Sequence, residues 1–424
     1  MKRPSAASLK KVTAENLATL GAERLSELLV TAAANRPELK RRLRMELAAE
    51  QGADHLLVEI DKRLGSLDTS RSKVSWRQRS TFLRDLDGLR LLIVRRLAGL
   101  DGPAALDRMW RFMSLARRLA VRVRDKDGEL AAVFSRAAAD VGHLLEATGD
   151  ARGAEALVEA VVQNPVGWTG WLPRVLERSP PGLARIALTA MIRRDGAVAG
   201  WMPPLRQLAD AAGDVDAYRA TFSAQAMRTP EVAAEVARRL LDHDQVEDAG
   251  RVLEAAASER PGSLRERSGA PDFAWETVWI VYLERSGQQE AAQAARWSSF
   301  ERTLSPERLK AFTRGLADFD DVEAEGRAFQ HAVIHPDLRQ ALRFLMDWPA
   351  LPEAAALIRA RAADSGALLQ HDAEAWAERL RARQPEAARL LLEIAAEAAF
   401  HRRDREAGER LREEAEGLAS SAPG

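Results

Sequence analysis

The chain has 424 residues, no cysteine, and 63 basic against 63 acidic residues, so its formal net charge is zero. Balanced charge argues against a simple polycationic nucleic-acid binder, and a hydrophobic content of 46% argues against disorder. The absence of cysteine excludes disulfides, thiol nucleophiles and cysteine-based zinc sites, and it is typical of a reducing cytoplasm. We find no apolar stretch of about 20 residues and no secretory signal, so we expect a cytoplasmic protein without a membrane partner.

Helix signals begin near residue 13 and continue to about residue 418, and we find no run typical of a strand. Proline followed by an acidic residue recurs, which suits the first turn of a helix. Thr229 and Ser305 stand directly before two of these prolines as candidate N-caps. The sequence therefore predicts an all-α fold. The pairs are Pro37-Glu38, Pro230-Glu231, Pro271-Asp272, Pro306-Glu307, Pro336-Asp337, Pro352-Glu353 and Pro385-Glu386.

A degenerate helix-turn-helix unit recurs in the sequence, with a leucine-rich helix, a polar turn and an alanine-rich helix. It occurs at residues 141–165, 205–230, 236–261 and 278–306, with weaker copies at 342–365 and 380–402. The small residues that open each second helix are separated by 63, 32, 42, 63 and 33 residues, mostly one or two times a unit near the tetratricopeptide period of about 34. These anchors are Ala154, Ala217, Ala249, Ala291, Ala354 and Ala387.

The pattern of leucine, glycine and alanine resembles that of tetratricopeptide-like solenoids. This resemblance implies antiparallel helix pairs stacked as an α-solenoid, in which small residues let paired helices approach closely. Residues 295–349 and 16–47, the latter with the phrases LGAERLSELL and LKRRLRMELA, are also similar to an uncharacterised family of bacterial all-helical proteins. That second resemblance implies the fold and leaves the activity open.

We expect four regions along the chain. Residues 1–12 form a flexible N-terminus, residues 13–130 a basic helical region, residues 131–418 the tetratricopeptide-like repeats, and residues 419–424 a flexible tail. Residues 1–130 carry 27 basic and 17 acidic residues, a net charge of +10, and the remainder carries −10. The neutral total therefore conceals a basic N-terminal third.

Arginines in this basic region are candidate binding residues for nucleic acid or an acidic partner. Arg111, Arg118 and Arg122 stand at offsets of 7 and 4 residues and share one helical face. Such a face can bind phosphates, and the alternatives are solvated surfaces or docking on the acidic C-terminal part of the chain. The full candidate set is Arg77, Arg79, Arg84, Arg111, Arg118 and Arg122.

Tryptophans and histidines supply two further candidates. Trp168, Trp171 and Trp201 lie in a segment broken by glycine and proline, where exposed tryptophan can anchor a peptide of a partner, although core packing is the alternative. His331 and His335 share a helical face, but the motif His-Ala-Val-Ile-His lacks the glutamate of a zincin. We therefore predict a structural or surface role for both histidines.

Catalytic motifs are missing from the sequence. We find no glycine-rich phosphate loop and no Gly-x-Ser-x-Gly motif, and we predict no catalytic residue, metal or cofactor. The favoured hypothesis is a non-catalytic helical-repeat scaffold or adaptor that binds a protein partner. The alternative is a nucleic-acid-binding accessory protein that uses its Arg-rich N-terminal helical surface, and the oligomeric state stays open.

Overall fold

The computed structural model describes residues 12–146, 149–194, 200–258, 273–317, 320–362 and 368–420. Every regular element in these ranges is helical, which confirms the predicted all-α fold. The chain divides into two compact units, Met1–Thr221 and Phe222–Gly424. The region boundaries expected near residues 12, 130 and 418 stay predictions. In the described ranges, no helix is both long and apolar enough to cross a membrane.

The described part of the first unit contains fifteen α-helices. A π-helical turn at Ile93–Leu97 follows the helix that ends at Leu92. The helices are α1 (Ala14–Ala18), α2 (Ala22–Ala34), α3 (Pro37–Glu50), α4 (Ala53–Thr69), α5 (Trp76–Leu92), α6 (Ala98–Leu100), α7 (Gly102–Ser114), α8 (Ala116–Arg122), α9 (Glu129–Leu145), α10 (Asp150–Gln163), α11 (Pro165–Thr169), α12 (Leu172–Leu176), α13 (Leu183–Ile192), α14 (Met202–Ala212) and α15 (Val215–Ala220).

Neighbouring helices of the first unit pack around a continuous series of apolar side chains. Helix α3 packs on α4, α7 on α9, α9 on α12, α10 on α13 and α13 on α14. Leu56, Ile60 and Leu64 recur at helical spacing along the buried face of α4, and Phe112 and Phe134 meet at a centroid distance of 5.4 Å between α7 and α9. These apolar faces explain why the amphipathic segments fold as packed helices.

The described part of the second unit contains a 3₁₀ turn at Ala226–Arg228 and eleven α-helices. An apolar cluster of this unit includes Phe300 and Phe344, whose rings lie 5.1 Å apart. The helices are α16 (Pro230–Asp242), α17 (Val246–Ser258), α18 (Phe273–Arg285), α19 (Gln289–Thr303), α20 (Pro306–Thr313), α21 (Asp320–Ile334), α22 (Leu338–Asp347), α23 (Leu351–Ala360), α24 (Gln370–Leu380), α25 (Pro385–His401) and α26 (Arg405–Ser420).

Helix pairs joined by short turns pack directly on each other in this unit, as in an α-solenoid. Helix α16 packs on α17, α18 on α19, α24 on α25, and α25 on α26. The first two pairs are the repeat units predicted at residues 236–261 and 278–306, as far as those segments are described. The predicted unit at residues 141–165 differs, because α9 packs mainly on α7 and α12, whereas α10 packs on α13.

The proline signals locate most of the predicted helix starts. Helices begin at Pro37, Pro230, Pro306 and Pro385, and Pro352 is the second residue of α23. Proline lacks the N–H group that a first-turn residue would leave unpaired, which explains these positions. The pair at residues 271–272 lies outside the described residues.

Three helix caps refine the prediction. Ser305 caps α20 by accepting a hydrogen bond from the Arg308 backbone N–H at 3.4 Å. Thr229 occupies the cap position of α16, but its hydroxyl instead donates to the carbonyl of Ala226 at 2.8 Å. Asp337 itself caps α22, so the helix after Pro336 begins at Leu338, two residues later than the pair suggests.

The alanine anchors test the close packing that the repeat pattern requires. Ala154, Ala249, Ala354 and Ala387 are fully buried, each with a relative exposure of 0%. Ala217 is half-buried, and its helix α15 has only six residues. At the remaining anchor, Ala291 is exposed while Ala292 is fully buried. The buried anchor of that repeat is therefore one residue later than predicted.

Candidate functional site

Two surfaces of the first unit contain five of the nine predicted binding residues: an ion-pair ladder and a tryptophan groove. The ladder joins α4 to α7 and α8. The Asp61 carboxylate accepts hydrogen bonds from Arg108 at 2.9 Å and from Arg111 at 2.5 Å. Arg118 pairs with the Asp68 carboxylate at 2.7 Å. Two of the three arginines of the predicted basic face, Arg111 and Arg118, are therefore held by carboxylates of α4.

Arg122 completes the ladder without a carboxylate of the described residues in direct contact. Its guanidinium donates to the carbonyls of Leu67 and Ser72, each at 2.9 Å, and to the hydroxyl of Ser70 at 3.0 Å. The carbonyl at the C-terminal end of α4 is one of the backbone groups that a helix leaves unpaired. Arg122 therefore caps α4 from outside.

The ladder has a constant offset along the chain. Arg111 and Arg118 each lie 50 residues after their aspartates, and Arg122 lies 50 residues after Ser72. A second set joins α5 to α9, where Arg90 contacts Asp140 at an offset of 50. A constant offset requires parallel segments, so the pair α4 and α5 stacks on α7, α8 and α9 as one helical layer on the next. The sequence did not reveal this layer, because the predicted repeats begin only after residue 130.

The ion pairs of the ladder also shift the pKa values of Asp61 and Arg108. Hydrogen bonding from Arg108, together with the charges of Arg108 and Arg111, lowers the pKa of Asp61, although burial acts in the opposite direction. The same hydrogen bond and the charge of Asp61 raise the pKa of Arg108. Each charge thus stabilises the ionised form of its partner.

The remaining predicted arginines also contact nearby groups. Arg79 pairs with Asp127 at 2.6 Å and with Glu129 at 3.3 Å. The other two have weaker contacts: Arg84 donates to the hydroxyl of Thr81 at 3.3 Å, and the Arg77 guanidinium lies 5.1 Å from the ring centre of Trp76. The carboxylates that pair with the ladder arginines and with Arg79 all lie within residues 61–129. The basic region therefore pairs with itself, which the sequence did not predict.

This pairing does not favour the nucleic-acid alternative. A bound phosphate would compete with Asp61 for Arg111 and with Asp68 for Arg118. Exposed pairs of this kind exchange with solvent ions, but they supply a local negative charge that weakens phosphate attraction. Arg79, Arg111, Arg118 and Arg122 therefore act first as contacts between segments of the fold, whereas Arg77 and Arg84 contact residues of their own helix.

The tryptophan groove is a concave surface of about 440 Å³ between α7, α8, α10 and the α11–α12 segment. Trp110, Trp168 and Trp171 form its aromatic wall. The ring centroid of Trp168 lies 5.5 Å from that of Trp110 and 5.6 Å from that of Trp171, and the latter pair meets edge to face. Trp168 is only 4% exposed, whereas Trp110 and Trp171 are half-buried and border the groove.

The groove also has a polar side. Arg117, Glu159, Gln163 and Asn164 line it and are exposed. Gln163 donates to the Glu159 carboxylate at 2.9 Å, and this bond, with that from Arg194, lowers the pKa of Glu159. Aromatic walls beside polar donors and acceptors are typical of protein interfaces.

The structure divides the three predicted tryptophans. Trp168 and Trp171 come together in the groove, joined by Trp110, which sequence reasoning missed because it lies 58 residues earlier on an ordinary amphipathic helix. Trp201 is 7% exposed and does not border the groove. The burial of Trp168 and Trp201 fits the packing alternative, and the binding prediction now concerns the groove edge at Trp110 and Trp171.

The histidine pair has ordinary polar contacts. His331 Nε2 lies 2.8 Å from the carbonyl oxygen of Glu301, and the ring of His335 contacts the backbone of Asp337. The two rings are 6.2 Å apart. Within the described ranges, no three His, Asp or Glu side chains are placed to hold a metal ion.

Fold and surfaces together define an all-helical repeat protein. The chain belongs to the Family of unknown function (DUF6880), whose sequence model matches residues 7–192 and 192–421. No curated protein matches it. Among solved structures, it is similar to the crystal structure of yeast Tom70, at 11% identity and a TM-score of 0.22, covering 95% of this chain and 87% of that chain. It is also similar to a circular tandem repeat protein with a novel repeat topology, at 16% identity and a TM-score of 0.21, covering 96% and 88% of the two chains.

Proposed function

We propose that this protein is a non-catalytic helical-repeat adaptor whose tryptophan groove receives a peptide segment of a protein partner. The groove carries this proposal, because it places Trp110 and Trp171 at the edge of a concave surface with exposed polar side chains around them. Tryptophan and arginine contribute most of the binding energy in many interfaces, and a groove excludes water from such contacts.

The composition of the groove favours a peptide over a small polar substrate. Its wall is aromatic on one side, whereas Arg117 and Glu159 present opposite charges on the other. Opposite charges fix the direction of a bound segment more than they raise its affinity. The expected ligand is therefore a peptide that inserts an apolar side chain between the indoles and pairs its own charges with this rim.

Affinity purification from the native host with quantitative mass spectrometry tests the proposal. The baits are the full-length wild type, Arg117→Glu, Trp171→Ala and the matched control Trp76→Ala, whose tryptophan is 79% exposed and does not line the groove. We expect one protein to be enriched by the wild type and by the control. Loss of an interface tryptophan weakens binding about thirty-fold at a hot spot, so both groove variants should lose it.

Arg117→Glu protects this experiment from a folding artefact, because Arg117 is exposed and its replacement removes no buried contact. If both groove variants recover the partner as well as the wild type does, the groove is not the binding site. Failure of the wild type to enrich any protein reproducibly would contradict the adaptor function itself.

A further inference from the structure

A second concave surface of the first unit lies between α3, α4 and α5 and has a different chemistry. This pocket has a volume of about 480 Å³, which is within the range of about 300–1,000 Å³ typical of small-molecule sites. Five arginines line it against only two carboxylates, those of Glu38 and Asp85. The lining therefore has an excess of three positive charges. The arginines are Arg36, Arg41, Arg42, Arg63 and Arg84.

Asp85 organises the inner part of the pocket. Its Oδ2 atom accepts hydrogen bonds from Arg41, at 3.2 Å, and from Arg63. The Arg63 side chain is only 14% exposed. Burial lowers the pKa of Arg63, and the charge of Arg41 lowers it further, against the opposing effect of Asp85. One carboxylate thus holds two guanidinium groups side by side without neutralising both.

Several guanidinium donors around this centre have no anionic partner among the described residues. Arg41 Nε is buried without a hydrogen bond to any of them. Arg36 and Arg42 are exposed at the mouth and form no ion pair with the described part of the chain. Arg84 donates to the carbonyl of Ser80, at 3.4 Å, and to the hydroxyl of Thr81, at 3.3 Å. The pocket can therefore accept an anion without first breaking an ion pair at these residues.

The floor of the pocket is apolar. Met45, Leu89 and Leu92 are each 4% exposed, and Leu39 is half-buried beside them. These side chains come from α3 and α5 and face the same cavity as the arginines. A ligand that combines a charged group with a compact apolar group would satisfy both surfaces.

We propose that this arginine pocket binds a phosphorylated small molecule, with the phosphate at the guanidinium groups and the organic part on the apolar floor. A phosphomonoester carries a charge of about −1.5 to −2 at pH 7, whereas a carboxylate carries one negative charge. The larger charge of a phosphomonoester better matches the excess of three positive charges in the pocket lining. The planar fork of arginine donors also fits phosphate oxygens in pairs. This site is separate from the tryptophan groove and does not depend on the adaptor function.

Isothermal titration calorimetry on the full-length protein tests the proposal with three probes: inorganic phosphate, phenyl phosphate and benzoate. We expect phenyl phosphate to bind more tightly than inorganic phosphate, because only the former contacts the apolar floor. Benzoate should bind more weakly than phenyl phosphate, because its charge is smaller. Binding of phenyl phosphate should weaken as the salt concentration rises.

Matched variants locate the binding site. Arg36→Gln with Arg42→Gln should weaken phenyl phosphate binding at least about ten-fold, since two charged hydrogen-bond donors are lost. Arg44→Gln on the same helix is the control, because Arg44 is exposed and does not line the pocket. Both changes affect exposed side chains, and the single variant Arg42→Gln repeats the test with a smaller perturbation.

Three results would overturn the proposal. The first is the absence of heat from phenyl phosphate binding to the wild type. The second is an affinity unchanged in both pocket variants. The third is benzoate binding as tightly as phenyl phosphate, which would assign the site to carboxylates instead of phosphates.

Discussion

Gly142 and Val175 bring α9 and α12 together at backbone distance. A Cβ atom at Gly142 would lie 2.4 Å from the carbonyl oxygen of Val175 and 2.8 Å from Cβ of Arg178. No larger residue fits there without moving one of the two helices. The contact also positions the residues just before α12, because Trp171 packs on Phe134 of α9 with ring centroids 6.0 Å apart. A glycine on α9 thus sets the geometry of one wall of the tryptophan groove.

Gly142→Ala should destabilise the first unit. The added methyl group meets backbone atoms, which cannot rotate away, and overpacking of this kind costs about 1–3 kcal/mol. Gly65→Ala is the control, because a Cβ atom at this helical position meets nothing within 4 Å. That change should stabilise by about 0.5–1 kcal/mol through helix propensity. Urea unfolding measures both, and equal effects of the two substitutions would contradict the close approach.

Asp61→Asn should reduce stability in a pH-dependent way. The arginines hold the pKa of Asp61 below its ordinary value of 3.8, so its ionised form stabilises the folded state at neutral pH. We expect a cost of about 1 kcal/mol at pH 7. The cost should shrink as the pH falls below 3.8, because the wild-type carboxyl then becomes protonated. Melting temperatures of wild type and variant should therefore converge in acid.

Asp107→Asn provides the comparison for this pH series. Asp107 is exposed and forms no ion pair with a described residue. The melting temperature of the Asp107→Asn variant should follow that of the wild type at every pH. A difference between wild type and Asp61→Asn that stays constant as the pH falls well below 3.8 would show that the ladder does not stabilise through the charge of Asp61.

Ser299→Ala should destabilise the second unit. Ser299 is 1% exposed, and its hydroxyl donates at 2.6 Å to the carboxylate of Glu276, itself only 7% exposed. Removing the donor leaves a buried charge with one bond fewer, although Arg302 still pairs with it. Such losses cost about 1.5–3 kcal/mol. The neighbouring change Ser298→Ala removes only an exposed hydroxyl that accepts from Arg302 at 2.9 Å, and Arg302 keeps its bond to the Ser298 carbonyl, so this change should cost less than Ser299→Ala in the same denaturation assay.

Ala249→Leu should test the repeat anchors. Ala249 is fully buried on α17, where the helix packs closely on α16, so a larger side chain should cost about 1–3 kcal/mol. Ala291→Leu occupies the corresponding sequence position of the next repeat but is exposed. That substitution should change the free energy of unfolding by less than about 0.5 kcal/mol. If thermal denaturation shows that both substitutions lower the stability equally, Ala291 is not an exposed position of its repeat.

Local signals located much of the helical structure in advance. Proline at the start of a helix and small residues in its interior act within one or two turns, so Pro230 and Ala249 could be interpreted without knowing the rest of the chain. The same signals failed where a neighbour in space decides the outcome. Ala291 and Ala292 are equally small, and only the packing of α19 determines which of them is buried.

The residues of the candidate sites were harder to predict from the sequence than the helices were. Trp168 and Trp171 are candidates from the sequence because they lie in a segment broken by glycine and proline, but Trp110 joins them only through the packing of α7 beside α10 and the α11–α12 segment. The basic run between residues 108 and 124 left a phosphate-binding face, a solvated surface and docking on the acidic C-terminal part as alternatives. Arg108, Arg111 and Arg118 in this run instead pair with aspartates about 50 residues earlier, an interval that no helical periodicity reveals.

The sequence by itself determined that this protein is helical and built of stacked units, because helix propensity, caps and amphipathic spacing depend on neighbours along the chain. It also determined that the N-terminal third is basic. Only the tertiary structure decided where that charge lies: much of it is paired between stacked helices, whereas Arg36, Arg42 and Arg84 line a pocket without anionic partners in the described part of the chain. The reason is that a charge interacts across a few ångströms of space, and folding decides which distant residues come within that range.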